Sequence, residues 1–355
     1  MPKEHAKLDT LERMKYKREE VWLPCSEDQL GWDDDFHLLM LNDHLRMTAY
    51  EKAISEAVRP GMNVLDLGTG TGILARWALE AGARHVYAIE ANQAIAAQAI
   101  TNLQESGYEN RFELFNALSY DVELPRRVDL IVSEIMGNLG DNEDCVAILK
   151  DARTRFLGSD GQMLPLAMNA YVVPVAATEA HQQVVNRNCR VLNASYGLSD
   201  LLSRLHLGNS CNLYYDVILP RCGYLSQPSL LKSFDFQTGG DETVYEVENR
   251  FIVEKAGLFT GFKGYFVAKL TANVVLDISG DNIEKRTTSD SWKHCYLPVG
   301  QPIPVEEGDE LILNFARSYP KHKHSPFSKC YHWQGEVLRN GWLLSRYQQS
   351  MEEGE

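Results

Sequence analysis

The chain has no run of 18 consecutive apolar residues, so the length a membrane-crossing helix needs is missing and no membrane partner is expected. Positive charge is in deficit. Against 35 Lys and Arg stand 49 Asp and Glu, a formal net charge of −14. Phosphate backbones would be repelled, which argues against nucleic acid as a partner. The same charge either favours a cationic ligand or serves solubility alone. Cysteines spaced for a metal or a disulfide framework are absent too. The seven are scattered, odd in number and never spaced Cys-x-x-Cys. Free thiols and a cytoplasmic location are therefore expected. Met1 to Lys7 carries no apolar stretch, so no secretory signal is expected. The lysines of Lys321-His-Lys-His324 would repel a metal, and Cys330 and His332 lack further ligands at usable spacing. No metal site is expected.

What is present is ample for two hydrophobic cores: 355 residues, of which 44% are apolar. Residues 1–36 are polar, with a helix expected from Thr10 to Glu20. From His37 to about Leu164, short apolar runs alternate with amphipathic stretches. Strands are expected at Asn63–Leu67, His85–Ile89, Phe112–Phe115, Val128–Ser133 and Gln162–Leu164. Helices are expected at Asp43–Val58, Gly72–Ala81, Gln93–Ser106 and Cys145–Phe156. That alternation predicts a parallel, doubly wound α/β sheet. The texture changes near Pro165. Alternating runs at 170–176, 251–254, 265–276 and 311–315, with Gly and Pro between them, predict a second, mostly antiparallel domain over 165–355. About 186–218 reads as a helical, irregular excursion from it.

Two features carry chemistry. The first is Val64-Leu-Asp66-Leu-Gly68-Thr69-Gly70-Thr-Gly72, a strand running into a glycine turn and a helix. Glycines accept positive φ and let backbone approach a ligand, while helix N-terminal amides face it. The next strand ends in Glu90, a carboxylate suited to ribose hydroxyls. The spacing Gly-x-Gly-x-Gly, preceded by Asp66, differs from the Gly-x-Gly-x-x-Gly of nicotinamide-binding proteins. The second feature is a pair of glutamates, Glu134 and Glu143, in the segment that follows the apolar run Val128–Ser133. Ligands of open α/β sheets bind beyond the carboxyl ends of such strands. Two carboxylates there suit a cation, and a guanidinium best, because its planar fork pairs with carboxylates two bonds at a time.

The glycine turn resembles motif I of class I S-adenosylmethionine methyltransferases. From His37 to Phe315 the chain resembles the protein arginine methyltransferase family. The carriers are His37-Leu-Leu-Met40-Leu-Asn-Asp43-His-Leu-Arg46, the glycine turn with Glu90, Ser133-Glu134 through Glu143 as the family's double-glutamate loop, and Ser291-Trp292-Lys293 as its Thr-His-Trp loop. The resemblance implies an α/β fold with a methyl-donor domain over 37–164, then a β-barrel with a helical dimerisation arm near 186–218, in a homodimer. It implies S-adenosylmethionine as cofactor and methyl transfer to a guanidino nitrogen of protein or peptide arginine. Catalysis would rest on Glu134 and Glu143, and Met40 and Trp292 would line the acceptor side. His37, Arg46, Asp66, Gly68, Thr69, Gly70, Gly72, Glu90 and Ser119 would surround the cofactor, with Arg46 on its carboxylate. Asp66 would fix either the turn or the cofactor's amino end. The bland alternatives are core filler for Met40, a structural role for His37, a solvated helix residue for Arg46 and a buried barrel residue for Trp292. The chain departs from the family at the Tyr-Phe-x-x-Tyr element, which is absent, and at the loop, which holds Asn138, Asp141 and Asn142 in place of aromatics. Asp141 and Asn142 therefore read as substrate-binding, and free arginine or another small guanidino compound stays open as acceptor. Asp290-Ser291-Trp292 lacks the family's histidine, so Asp43 is expected to lack its partner. A non-catalytic homologue that binds and regulates an active one is the third alternative.

Overall fold

The computed structural model describes residues 17–24, 34–191, 202–203, 208–240, 242–282, 285, 287–289, 291–321 and 329–352. A five-stranded sheet carries the order β3-β2-β1-β4-β5, all parallel. Its strands are β1 (Asn63–Leu67), β2 (His85–Ile89), β3 (Phe112–Phe115), β4 (Val128–Ser133) and β5 (Leu157–Leu164). The chain winds outward through β1, β2 and β3, then restarts on the other side with β4. The reversal places the ends of β1 and β4 side by side, with Leu67 in register with Ser133. Such a switch point is where open α/β sheets bind ligands. β5 is longer than its sequence suggests. The stretch Leu157-Gly-Ser-Asp-Gly reads as a turn, and an irregular register between Val128 and Leu130 accommodates it.

The helices are α1 (Asp34–Asn42), α2 (His44–Ala57), α3 (Ile73–Glu80), α4 (Gln93–Glu105), α5 (Cys145–Phe156) and α6 (Thr178–Val185). Asp43 caps α2 by accepting from the Arg46 N–H, and Asn92 caps α4 by accepting from Ala94 and Ile95. α2 buries Tyr50, Ala53 and Ile54, and α3 buries Leu74, Ala75, Ala78 and Leu79, the one-face spacing of helices packed on a sheet. The helix expected from Thr10 to Glu20 does not extend over its described part. At 17–20 the chain is held as a strap, with Arg18 bridged to Ile218 and the Glu19 carbonyl taken by Gln183. Residues 10–16 lie outside the described residues, as do 192–201 and 204–207 of the expected arm. Among the described residues no helix is long and apolar enough to cross a membrane.

From β6 (Ala167–Val175) onward every ladder is antiparallel. One sheet runs β7-β12-β10-β6-β8, with β11 (Val275–Asp277) on β10. It contains β7 (Tyr215–Val217), β8 (Ser229–Asp235), β10 (Gly257–Lys269) and β12 (His294–Val305). A second runs β15-β14-β13-β9, from β9 (Tyr245–Ile252), β13 (Glu310–Ser318), β14 (Cys330–Arg339) and β15 (Trp342–Ser350). β9 lies beside β8 and β15 beside β12, so the two sheets enclose a shared core. The single run expected over 265–276 is a hairpin. Thr271 Oγ1 accepts from the Asn273 and Val274 amides and turns the chain between β10 and β11. One continuous set of buried apolar side chains joins the parallel and antiparallel sheets.

Candidate active site

A cavity of about 240 Å³ opens at the switch point between β1 and β4. Its floor is the glycine turn. Gly68, Gly70 and Gly72 hold φ of 74°, 54° and 86°, values that favour glycine. Gly68 and Thr69 donate to the Ile89 carbonyl at 3.0 and 2.9 Å, tying the turn to β2. Asp66 lies beneath the turn rather than on the cavity wall. Its Oδ2 accepts from Thr69 Oγ1 at 2.6 Å and from the Ala75 amide at 2.9 Å, so it clamps the turn to the first coil of α3. Of the two roles open from sequence, the structure favours this one. Burial pushes the Asp66 carboxyl up to about 7, against the pull of those two donors. Gly72 likewise packs on Ala99 of α4 and does not reach the cavity.

Glu90 does reach it. Its Oε2 accepts from Gly70 N at 3.0 Å and its Oε1 from Asn92 N at 2.8 Å. A carboxylate so held keeps lone pairs on both oxygens for ribose hydroxyls. The His37 ring stands over Gly70, 3.6 Å from where a Cβ would be, and Met40 and Ser119 line the same cavity. The cradle without side chains, the fixed acid at the tip of β2 and a buried cation in Arg46 suit S-adenosylmethionine.

Glu134 and Glu143 line the other half with Arg46 and Trp292. Glu134 leaves β4, receives the Met136 amide at 3.2 Å and is ion-paired to Arg46. The Arg46 guanidinium also stacks 5.1 Å from the Trp292 ring centre. Burial lowers the Arg46 pKa, opposed by Asp43, Tyr50 and Glu143. Trp292 is 6% exposed; it donates from Nε1 to the Met136 carbonyl and meets Phe266 edge-on at 5.0 Å.

Two expectations are corrected. Asp43 has partners despite the missing histidine. Its Oδ2 accepts from the hydroxyls of Ser289 and Ser291, the latter at 2.6 Å, and from the Ser291 amide at 3.2 Å. Asp141 and Asn142 do not face the cavity. Asp141 is 1% exposed; it accepts from Tyr245 and Tyr331 at 2.9 and 2.8 Å and pairs with Arg317 at 3.1 Å. Asn142 accepts from the Leu139 amide and donates to Asn138. Asp141 thus knits the loop to the antiparallel domain, and Asn142 ties the loop to itself. The cavity instead receives Asn138, Ser291 and, from β7, Asp216, none of which was expected as a site residue. The available signal for Asp216 was a lone carboxylate in the apolar run Tyr214-Tyr-Asp-Val-Ile218.

A parallel sheet of this order, a glycine turn with an acid on the next strand and a carboxylate-lined cavity define a class I S-adenosylmethionine methyltransferase. Residues 46–153 match the family model of the ribosomal protein L11 methyltransferase (PrmA), and 167–336 match that of the PRMT5 oligomerisation domain. The chain is 28% identical over 311 residues to protein arginine N-methyltransferase PRMT10 of Arabidopsis thaliana, covering 80% of each. It is 32% identical over 296 residues to the probable histone-arginine methyltransferase CARM1 of Oryza sativa subsp. indica, covering 79% of this chain and 55% of that one. A Trypanosoma brucei PRMT1 enzyme–prozyme heterotetramer with AdoHcy superposes with a TM-score of 0.75 at 22% identity, over 91% of this chain and 99% of that one. These matches support a protein arginine methyltransferase within that class.

Proposed function

We propose that this chain transfers a methyl group from S-adenosylmethionine to a guanidino nitrogen of arginine in proteins or peptides. The observation that carries the reading is that Glu134 and Glu143 line one cavity with the glycine turn, Glu90 and Trp292. Arg46 illustrates what the acceptor half recognises: a planar cation held by a carboxylate and the face of a tryptophan. S-adenosylmethionine supplies a methyl group on positively charged sulfur. The protein has to hold a nitrogen in line with it. A free guanidinium is a poor nucleophile because its charge is delocalised and its pKa exceeds about 12. Glu134 and Glu143 bind its N–H groups and draw the charge toward the nitrogens that do not react. The remaining nitrogen keeps more lone-pair character. Holding it about 3–3.5 Å from the methyl supplies much of the rate as orientation. One of the carboxylates takes the proton that the methylated nitrogen loses.

Free arginine as acceptor rested on the polar loop, of which Asp141 and Asn142 are buried away from the cavity and Asn138 alone lines it, which narrows the support for that alternative. Dimer formation and a cytoplasmic location belong to the same proposal. The match to an oligomerisation-domain family supports the first, and the absence of disulfides among the described cysteines supports the second. The test is incubation with methyl-labelled S-adenosylmethionine, offering an arginine-rich peptide and free arginine in parallel, with products read by mass spectrometry. Methylated peptide is the expected result. Label in free arginine alone would overturn the polypeptide acceptor.

A further inference from the structure

Asp216 belongs to β7 of the antiparallel domain, yet its side chain reaches the cavity and is 2% exposed in total. Its Oδ1 accepts from Asn138 Nδ2 at 2.7 Å. The same amide nitrogen donates to the Trp292 carbonyl at 3.2 Å, and Asn138 Oδ1 accepts from Asn142 Nδ2 at 3.1 Å. Asn142 Oδ1 in turn accepts from the Leu139 amide at 2.9 Å. An ionised carboxylate only accepts, so Asp216 dictates which way the Asn138 amide points. The chain of bonds crosses the loop between Glu134 and Glu143. The loop packs closely around it: a Cβ on Gly137 would overlap the Asn142 amide. Asp216 is itself anchored on two sides. It exchanges backbone bonds with Trp22 of the N-terminal strap at 3.0 Å each way and lies opposite Cys295 of β12.

We propose that Asp216 is a positioning residue for methyl transfer. Through Asn138 and the Trp292 carbonyl it fixes the double-glutamate loop, and so where Glu143 stands relative to Glu134. The inference rests on the arginine-methylation reading. Buried, fully satisfied polar networks specify one geometry, and small displacements of an aligned reactant are costly in rate. The carboxylate acts as a hydrogen-bond acceptor toward Asn138, with no contact to the acceptor substrate required.

The test measures kcat and KM on an arginine-rich peptide, with S-adenosylhomocysteine affinity by calorimetry, for D216A, D216N, N138A and D216A/N138A. D216A and N138A should each lower kcat by about 10- to 100-fold while cofactor-product affinity holds within about 3-fold. The double variant should be no worse than either single one, because both cut the same link. D216N keeps an acceptor oxygen and should recover most of the lost kcat. If D216A does not fold, N138A and D216N still decide, since one must lose kcat and the other keep it. A wild-type kcat in D216A or N138A would overturn the inference. So would a D216N as impaired as D216A with a raised peptide KM, which would make Asp216 a charged contact to the substrate. A wild-type chain that binds S-adenosylhomocysteine but methylates neither peptide nor free arginine would overturn the methylation reading itself.

Discussion

The replacement of a histidine by two serines around Asp43 has a calculable consequence. Asp43 is 2% exposed, and its Oδ2 is held by the Ser289 hydroxyl, the Ser291 hydroxyl and the Ser291 amide. Ser289 also acts in a second bond, in which its Oγ accepts the Trp292 amide at 3.0 Å. S291A removes one charge-assisted hydrogen bond, worth about 1.5–2 kcal/mol, and leaves the Ser291 amide in place. S289A removes a comparable bond and also strands the buried Trp292 N–H, which adds about 1–2 kcal/mol, for about 3 kcal/mol in all. The order is the sharper prediction: S289A should be clearly less stable than S291A. Urea unfolding followed by tryptophan fluorescence and by far-UV circular dichroism measures it, provided the two transitions coincide, as a two-domain chain must be shown to do. Because Trp292 stacks on Arg46, S289A should also raise the peptide KM at temperatures where the variant is folded. An S289A variant within about 0.5 kcal/mol of wild type, or less damaging than S291A, would refute the assignment of these serines as the partners of Asp43.

Three further outcomes are expected. E134Q or E143Q should each lower kcat by at least about 100-fold, about 2.7 kcal/mol of transition-state stabilisation, and near-normal turnover in the double variant would sink the proposed mechanism. D141N removes one of the two carboxylates paired with the buried Arg317, leaving Asp144 at 2.5 Å, and should cost about 1.5–3 kcal/mol in unfolding free energy, while the peptide KM stays within about 3-fold because Asp141 faces away from the cavity. Lys263 is buried in β10 with its ammonium on the Leu219 and Ser279 carbonyls, and burial pulls its pKa from 10.5 down to about 7, with Asp281 opposing. A depressed folded pKa means that the unfolded chain binds more protons between pH 7 and 10.5. The contribution of Lys263 to stability is therefore complete above 10.5 and lost as pH falls toward 7, with a slope of up to about 1.4 kcal/mol per unit. K263M should lack that slope in pH-dependent urea melts; an identical slope would show that the amine is not the titrating group.

How much of this was legible in the sequence depends on how far apart the cooperating residues lie. The bonds of Gly68 to Ile89, Gly70 to Glu90 and Ala75 to Asp66 span 21, 20 and 9 residues, so one strand–turn–helix unit and its neighbour contain the information. The partners of Asp43 are 246 and 248 residues away. The missing histidine suggested an unpartnered aspartate, but a buried carboxylate requires donors rather than a particular residue type, and two serines supply them. Another miss was avoidable. Asn340-Gly341 carries φ of 51° and 80° and joins β14 to β15, and Asn-Gly between alternating runs is a strong hairpin signal.

The double-glutamate loop shows what pattern alone does not decide. Asn138, Asp141 and Asn142 are polar residues in one short loop, and polarity alone singles out Asp141 and Asn142 as substrate contacts rather than Asn138. Gly137 and Gly140 exchange backbone hydrogen bonds at 3.1 and 2.8 Å, closing a tight turn over Asn138 and Leu139, with Gly140 at φ 94°. The reversal leaves Asn138 on the cavity side, turns Asn142 back on the loop and sends Asp141 toward the antiparallel sheets. Once there, Asp141 finds Arg317, Tyr245 and Tyr331, partners that a solvated or substrate-facing carboxylate would not need. The loop's polarity therefore serves to join two domains across a buried seam. Where a family uses aromatic side chains in such a loop, packing can hold it; where amides and a carboxylate replace them, hydrogen bonds must, and while Asn142 bonds within the loop, Asn138 and Asp141 take partners from the opposite domain. Asp216 and Arg317 are those partners, which is why the positions that explain this loop lie in the second half of the chain.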